Sequence, residues 1–149
     1  MLMKIREAKM SDLDNLSVLF NSYRMFYGKE SDLKVANQFL RSRIQEKNSK
    51  IFVCDVNNSL TGFAQLYPLF SSTRASKYWL LNDLFVDTQE RGKGYSKQLI
   101  NEAKKLVLNT NACGMMLETE KNNKIGNSLY PSVGFKINRL SNFYEWTPN

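Results

Sequence analysis

The sequence predicts an α/β (α+β) fold, a mixed and mostly antiparallel sheet with helices on both faces, in the order β-αα-βββ-α-β-α-β. Three observations predict it. The apolar residues recur at helical spacing up to about residue 44, then crowd into short strand-like runs from residue 51. Asn57-Asn58-Ser59 stands between two such runs, which is the turn chemistry of an antiparallel hairpin. A strand–helix–strand pattern then fills 78–119, and that connection joins parallel strands by a right-handed crossover. At 149 residues, the expectation is one domain over 1–149, large enough to bury a core without staples.

The elements follow in order. Ile5 and its neighbours form a short first strand. Ser11 is the expected N-cap of the first helix, with Asp12 and Asp14 in its first turn, where negative charge is favoured. Leu13, Leu16, Phe20, Tyr23 and Tyr27 share one helical face, and Gly28 stops it. Ser31-Asp32 opens a second helix with the face Ala36, Phe39, Leu40 and Ile44. IFVCDV (51–56) and LTGFAQLY (60–67) make the hairpin, which Pro68 ends or bulges. FSSTRASK (70–77) is a polar loop before the strand YWLLNDLFV (78–86). DTQERGKGYS is a turn, and the helix after it runs to about Asn109 on a stripe of Leu99, Ala103 and Leu106. GMMLET (114–119) is a strand. Residues 120–135 give a loop, a short helix and a Gly-Phe exit, with Pro131 biasing Tyr130 away from helical angles. NFYEWT (142–147) closes the chain as a terminal strand.

Composition narrows the function. Apolar content of 42% with 23% charged residues describes a globular protein. No apolar run is long enough to span a membrane, and charges interrupt the opening MLMKIREAK, so a cytoplasmic protein with no membrane partner is expected. The net charge of +7 favours anionic partners, including a phosphorylated cofactor. The 21 Lys and Arg are scattered, so no nucleic-acid partner is expected. Cys54 and Cys113 lie in apolar, strand-like surroundings without a CxxC spacing and read as reduced core residues. With no histidine, the commonest general base and zinc ligand are missing, and no metal site is expected. Acid–base chemistry must then use carboxylates, Tyr, Lys, Cys or water.

One turn stands out. Arg91-Gly92-Lys93-Gly94-Tyr95-Ser96 joins a strand to a helix N-terminus. Neither GxxxxGK[ST] nor GxGxxG is present, so the two common nucleotide loops are excluded. Unpaired N–H groups, the helix dipole and two cations together suit a pyrophosphate-sized anion, and an ordinary turn is the alternative. RGKGYS resembles the R/Q-x-x-G-x-G/A motif of the GNAT superfamily of acyl-CoA N-acyltransferases, with Ser96 in place of Gly or Ala. LNDLFV (81–86) is similar to that family's central strand. Asn123, Gly126, Leu129, Tyr130, Gly134 and Phe135 resemble its closing motif.

The resemblance implies transfer of an acyl group, usually acetyl, from acetyl-CoA to an amine by direct attack in a ternary complex. It implies that the backbone of Arg91, Gly92, Lys93, Gly94, Tyr95 and Ser96 holds the pyrophosphate. Leu84, Phe85 and Val86 would pair with the pantetheine arm, one of their amides polarising the thioester carbonyl. Asn123 and Asn127 would assist cofactor binding, and Tyr130 would protonate the leaving thiolate. Asp83, mid-strand beside that site, is the candidate base or cation anchor, or a carboxylate serving structure alone. The acceptor is expected to be a small primary amine such as a polyamine or amino compound. A protein or peptide amine and a silent acyl-CoA sensor are the alternatives. Family members are often dimers.

Overall fold

A computed structural model describes residues 2–149. The chain divides into two compact units, Met1–Glu118 and Thr119–Asn149. The first contains β1 (Met3–Glu7), α1 (Leu13–Phe26), α2 (Leu33–Glu46), β2 (Lys50–Val56), β3 (Ser59–Ser71), β4 (Ser76–Val86), α3 (Tyr95–Asn109) and β5 (Met115–Met116). The second contains α4 (Lys124–Ser132). The predicted order holds from β1 through α4.

The sheet runs β1-β2-β3-β4-β5. The first three pairings are antiparallel, and β4 meets β5 in parallel through Trp79↔Met115 and Leu80↔Met116. Asn57 and Asn58 both adopt positive φ, as a two-residue turn with the twist of a hairpin requires. Side chains alternate across the strands and feed two layers. On one face Ile51, Val53, Phe63 and Phe85 pack with Leu13, Leu16, Phe20, Ala36 and Leu40 of α1 and α2. On the other, a Cβ at Gly62 would touch Leu99 of α3. That helix buries Tyr95, Leu99, Ile100 and Ala103.

Several expectations need correction. Ser11 is not a cap. A 3-10 turn spans Met10–Asp12, and the Asp12 carboxylate turns back to Arg6 at 2.8 Å and to the Lys9 N–H at 2.7 Å. Pro68 does not end β3, which runs on to Ser71. The β2 ladder stops at Lys50↔Leu66, so the missing proline N–H costs no sheet bond. The polar loop is a tight turn over 72–75, because β3 and β4 pair as far as Ser71↔Ser76. Cys113 is exposed while Cys54 is buried, and both are free thiols. Pro131 does not expel Tyr130 from the helix. It stands in the last turn of α4, where few backbone bonds remain to be lost.

Two strand predictions fall short. GMMLET gives only two paired residues. The cause lies in β4, where Gln65 pairs with Asp83 and Leu66 with Leu81, leaving Asn82 as an extra bulged residue. A bulge bends its strand, and the pairing with β5 stops at Leu80, just before it. NFYEWT forms no strand among the described residues.

Candidate functional site

The turn before α3 carries the geometry of an anion site. Gly92 and Gly94 hold φ of 80° and 81°, and a Cβ on either would meet nothing within 4 Å. The glycines are thus demanded by backbone conformation, over which the space is open. Gly94 is the N-cap of α3 without a side-chain cap, and the Gln98 N–H is the one that reaches back to the Gly94 carbonyl at 3.2 Å. The helix start therefore presents backbone donors with its dipole behind them.

The two cations of this turn do other work. Lys93 Nζ lies 2.6 Å from Glu90, an exposed pair that offsets its charge. Arg91 donates from Nε to the Val86 carbonyl at 3.1 Å. Its guanidinium sits 4.9 Å from the Phe26 ring centre and 5.6 Å from that of Phe85. Arg91 thus ties the turn to β4 and α1, which leaves the backbone N–H groups as the donors of the turn.

The last residues of β4 form an open edge. Leu84, Phe85 and Val86 pair with Ala64, Phe63 and Gly62 on one side. On the other side β5 has ended, so no strand lies beside them among the described residues. A bound chain can add there as a strand does.

Asp83 lies beside this edge on the α1 face and is only 6% exposed. Its Oδ1 accepts from the Tyr23 hydroxyl at 2.8 Å and from Asn82 Nδ2 at 3.0 Å. Its Oδ2 accepts from Gln65 Nε2 at 2.9 Å, and Gln65 Oε1 in turn accepts from the Ser49 hydroxyl at 2.9 Å. Among the described residues no Lys or Arg pairs with it. Nearby, the Tyr67 phenol is pushed up to about 12, by burial first and by the charge of Asp83 second. Tyr23 packs edge-on to Phe63 at 5.5 Å and tilted on Phe85 at 5.8 Å, which fixes its hydroxyl on the carboxylate.

In the second unit, Asn123 caps α4. Its Oδ1 accepts from the Gly126 N–H at 3.0 Å, and Nδ2 donates to the Thr119 hydroxyl at 2.9 Å. Asn127 Nδ2 donates to the carbonyls of Asn123 and Glu120 at 2.8 and 2.9 Å, holding the preceding loop. Half-buried Tyr130 meets the ring of Phe135 edge-on at 5.8 Å. A Cβ at Gly126 would stand 2.7 Å from Asn123 Nδ2 and 3.2 Å from the Tyr130 ring. That glycine leaves room for both side chains.

Within the first unit the structure brings Asp83 to the open edge of Leu84–Val86 and ends that edge at the glycine turn. Asp32, at the expected start of the second helix, is the α2 N-cap and accepts from the Val35 N–H at 3.0 Å. The sequence reading missed the partners of Asp83. Tyr23 was absorbed into an apolar helix stripe, and Gln65 into a strand. A hydroxyl at the far end of that stripe was the available signal for the first. For Gln65 it was a lone amide within the apolar run GFAQLY, a group that needs a partner when its strand is buried.

Comparison with known proteins agrees with this geometry. The model of the acetyltransferase (GNAT) family matches residues 15–135. An uncharacterized N-acetyltransferase of Bacillus subtilis, YhfO, is 40% identical over 134 residues, covering 90% of each chain. A probable acetyltransferase of Haemophilus influenzae is 31% identical over 96% of this chain and 97% of its own. The crystal structure of a probable acetyltransferase superposes with a TM-score of 0.93 at 32% identity, over 98% of both chains. A strand that opens at a bulge, a glycine turn on an uncapped helix and a family match across the site converge: the chain belongs to the GNAT acetyltransferase family.

Proposed function

We propose that the protein moves an acetyl group from acetyl-CoA to a primary amine of a small molecule, such as a polyamine or amino compound, by direct attack in a ternary complex. The observation that carries this reading is Asp83, a buried carboxylate with neutral hydrogen-bond donors on both oxygens and no cationic partner among the described residues. Its negative charge is left for an incoming ammonium.

The residues present fit acetyl-CoA. The open β4 edge at Leu84–Val86 suits an extended arm, and the uncapped start of α3 suits a pyrophosphate. When bound, acetyl-CoA supplies an activated thioester. The amides of Arg91 to Ser96 hold the phosphates in this scheme, and an amide of Leu84–Val86 stabilises charge on the carbonyl oxygen. Asp83 anchors the ammonium and takes its proton, directly or through water, before the amine nitrogen bonds to the acetyl carbon. The carbon–sulfur bond breaks, and Tyr130 is assigned the proton that returns to sulfur. Asn123 keeps the start of α4 in shape, a support role for the cofactor side.

Thiol release from acetyl-CoA, measured against small amines, peptides and aminoglycosides, tests the reading. Saturable release with a small primary amine is expected. Release with peptides alone, or none despite acetyl-CoA binding, would overturn it. In the same assay Tyr130→Phe should lower kcat by about ten- to a hundredfold while KM for acetyl-CoA stays within about twofold. Unchanged kcat removes Tyr130 from the acid role.

A further inference from the structure

We propose that the cavity between the end of α2 and the paired ends of β1 and β2 binds a small organic anion, whose carboxylate or phosphate group is held by Arg43, Lys47 and Lys50. The cavity measures about 330 Å³, the size of a small-molecule site. Besides the three cations, only Glu7 brings a charge to its lining, so positive charge is in excess there. Ala8, Ile44 and Ile51 supply an apolar wall, which suits a short hydrocarbon body. The Ala8 N–H donates to the Ile51 carbonyl at 2.8 Å, and this fixes the sheet side of that wall. The Ser49 hydroxyl also lines the cavity, but it already donates to Gln65. The donors for a ligand are therefore the cations.

Two of these cations have a reason to be there without a ligand. Lys47 is the C-cap of α2, where the helix carbonyls favour positive charge. Lys50 Nζ pairs with Glu7 at 2.8 Å. Arg43 has no such partner. Its side chain is only 24% exposed, yet its guanidinium makes no hydrogen bond among the described residues, and its Nε is buried. The Glu46 carboxylate stands off at 3.7 Å, beyond hydrogen-bond reach, and is exposed to screening by solvent. The Phe39 ring lies 5.1 Å from the guanidinium carbon and steadies its plane. A guanidinium kept mostly from water with no acceptor is a cost to folding. Unlike Nε, the two Nη nitrogens are not buried, and they form the fork offered to a ligand. Such a fork matches two oxygens of a carboxylate or phosphate. The least explained cation of the cavity is thus the one best shaped for an oxyanion.

Amide shifts of the isotope-labelled full chain are the test, with inorganic phosphate and butanoate as separate probes at an ionic strength fixed by sodium chloride. Saturable shifts at residues 43–51, half-complete below about 10 mM, are expected with at least one probe. Binding of phosphate alone identifies a phosphate group in the ligand, and binding of butanoate alone identifies a carboxylate. Binding of both means that the site reads the oxyanion itself. Arg43→Gln should weaken the probe by about tenfold or more, and Arg43→Lys, which keeps the charge and loses the fork, by about threefold or more. Lys34→Gln makes the same change of charge at an exposed position near the start of α2 and should stay within about twofold of the parent. Shifts that rise without saturation, or that are confined to residues 91–96, overturn the proposal. So does parent-like binding by either Arg43 variant, or an equal loss in Lys34→Gln. Should Arg43→Gln fail to fold, Lys47→Gln takes its place, with a loss of about threefold or more expected and an unchanged affinity overturning the site.

Discussion

Asp55 and Asp83 are nearly equally buried, at 5% and 6% exposed, yet their surroundings differ in one respect. Asp55 meets a cation: Arg6 donates to it from Nε at 3.1 Å and stands 3.0 Å away through a second nitrogen. The same guanidinium grips Asp12 with two bonds of 2.8 Å, so three charged groups close on themselves. Asp83 meets a phenol and two amides. Burying a charge is costly, and the cost is met by pairing or by hydrogen bonds alone. The first cluster is complete as it stands and joins β1, β2 and the turn before α1. The second is electrically open, and it sits where the sheet is open too.

This contrast is testable at each residue. The largest effect should come from Asp83→Asn, which keeps the shape and removes the charge. We expect kcat/KM for the amine to fall by about a hundredfold or more, with the melting temperature within a few degrees of the parent. A large loss of stability with little loss of activity would place Asp83 with Asp55 instead. Asp55→Asn should do the reverse. It leaves Arg6 with one carboxylate and should cost about 1–3 kcal/mol, read as a fall of roughly 2–4 °C per kcal/mol in a chain this size, with kcat unchanged. Tyr23→Phe should have a smaller effect. It frees Oδ1 of one donor and should lower kcat/KM by about tenfold or less, and a shifted pH–rate profile would separate positioning of the carboxylate from mere packing.

The smallest effect is the pH dependence of the closed cluster. Arg6 beside Asp12 holds that carboxyl below its ordinary 3.8. A depressed value in the folded chain means stability that is present above pH 3.8 and lost as pH falls through the folded value. Asp12→Asn should flatten the acid limb of a stability–pH curve below about pH 5 while lowering stability at neutrality. An acid limb unchanged by the substitution would show that the pair is not felt in folding.

Much of the fold was legible in the sequence because local rules agreed with the sheet. The helix faces of α1 and α2, the Asn57-Asn58 turn and the extent of α3 are all set by nearby residues. What escaped was set at a distance. Trp79, Leu81, Asp83 and Phe85 are all buried at alternate positions, which in a regular strand means one face. The bulge divides them. Leu81 pairs with Leu66 and Trp79 donates to Thr110 at the end of α3, while Asp83 and Phe85 turn toward α1. No single-strand pattern reveals that switch, because the extra residue is defined only against β3. The glycine turn before a helix was legible, but the partners of its cations, Glu90 and the Val86 carbonyl, became visible only in three dimensions.

Asn82 can also be considered as a matter of chain length. Delete it, and the pairs on either side, Gln65 with Asp83 and Leu66 with Leu81, already stand in regular register. The ladder would heal without rotating a core side chain. What would disappear is the bend, and with it the reason for β5 to part from β4 at Leu80. A chain one residue shorter should keep its core and close its own cleft.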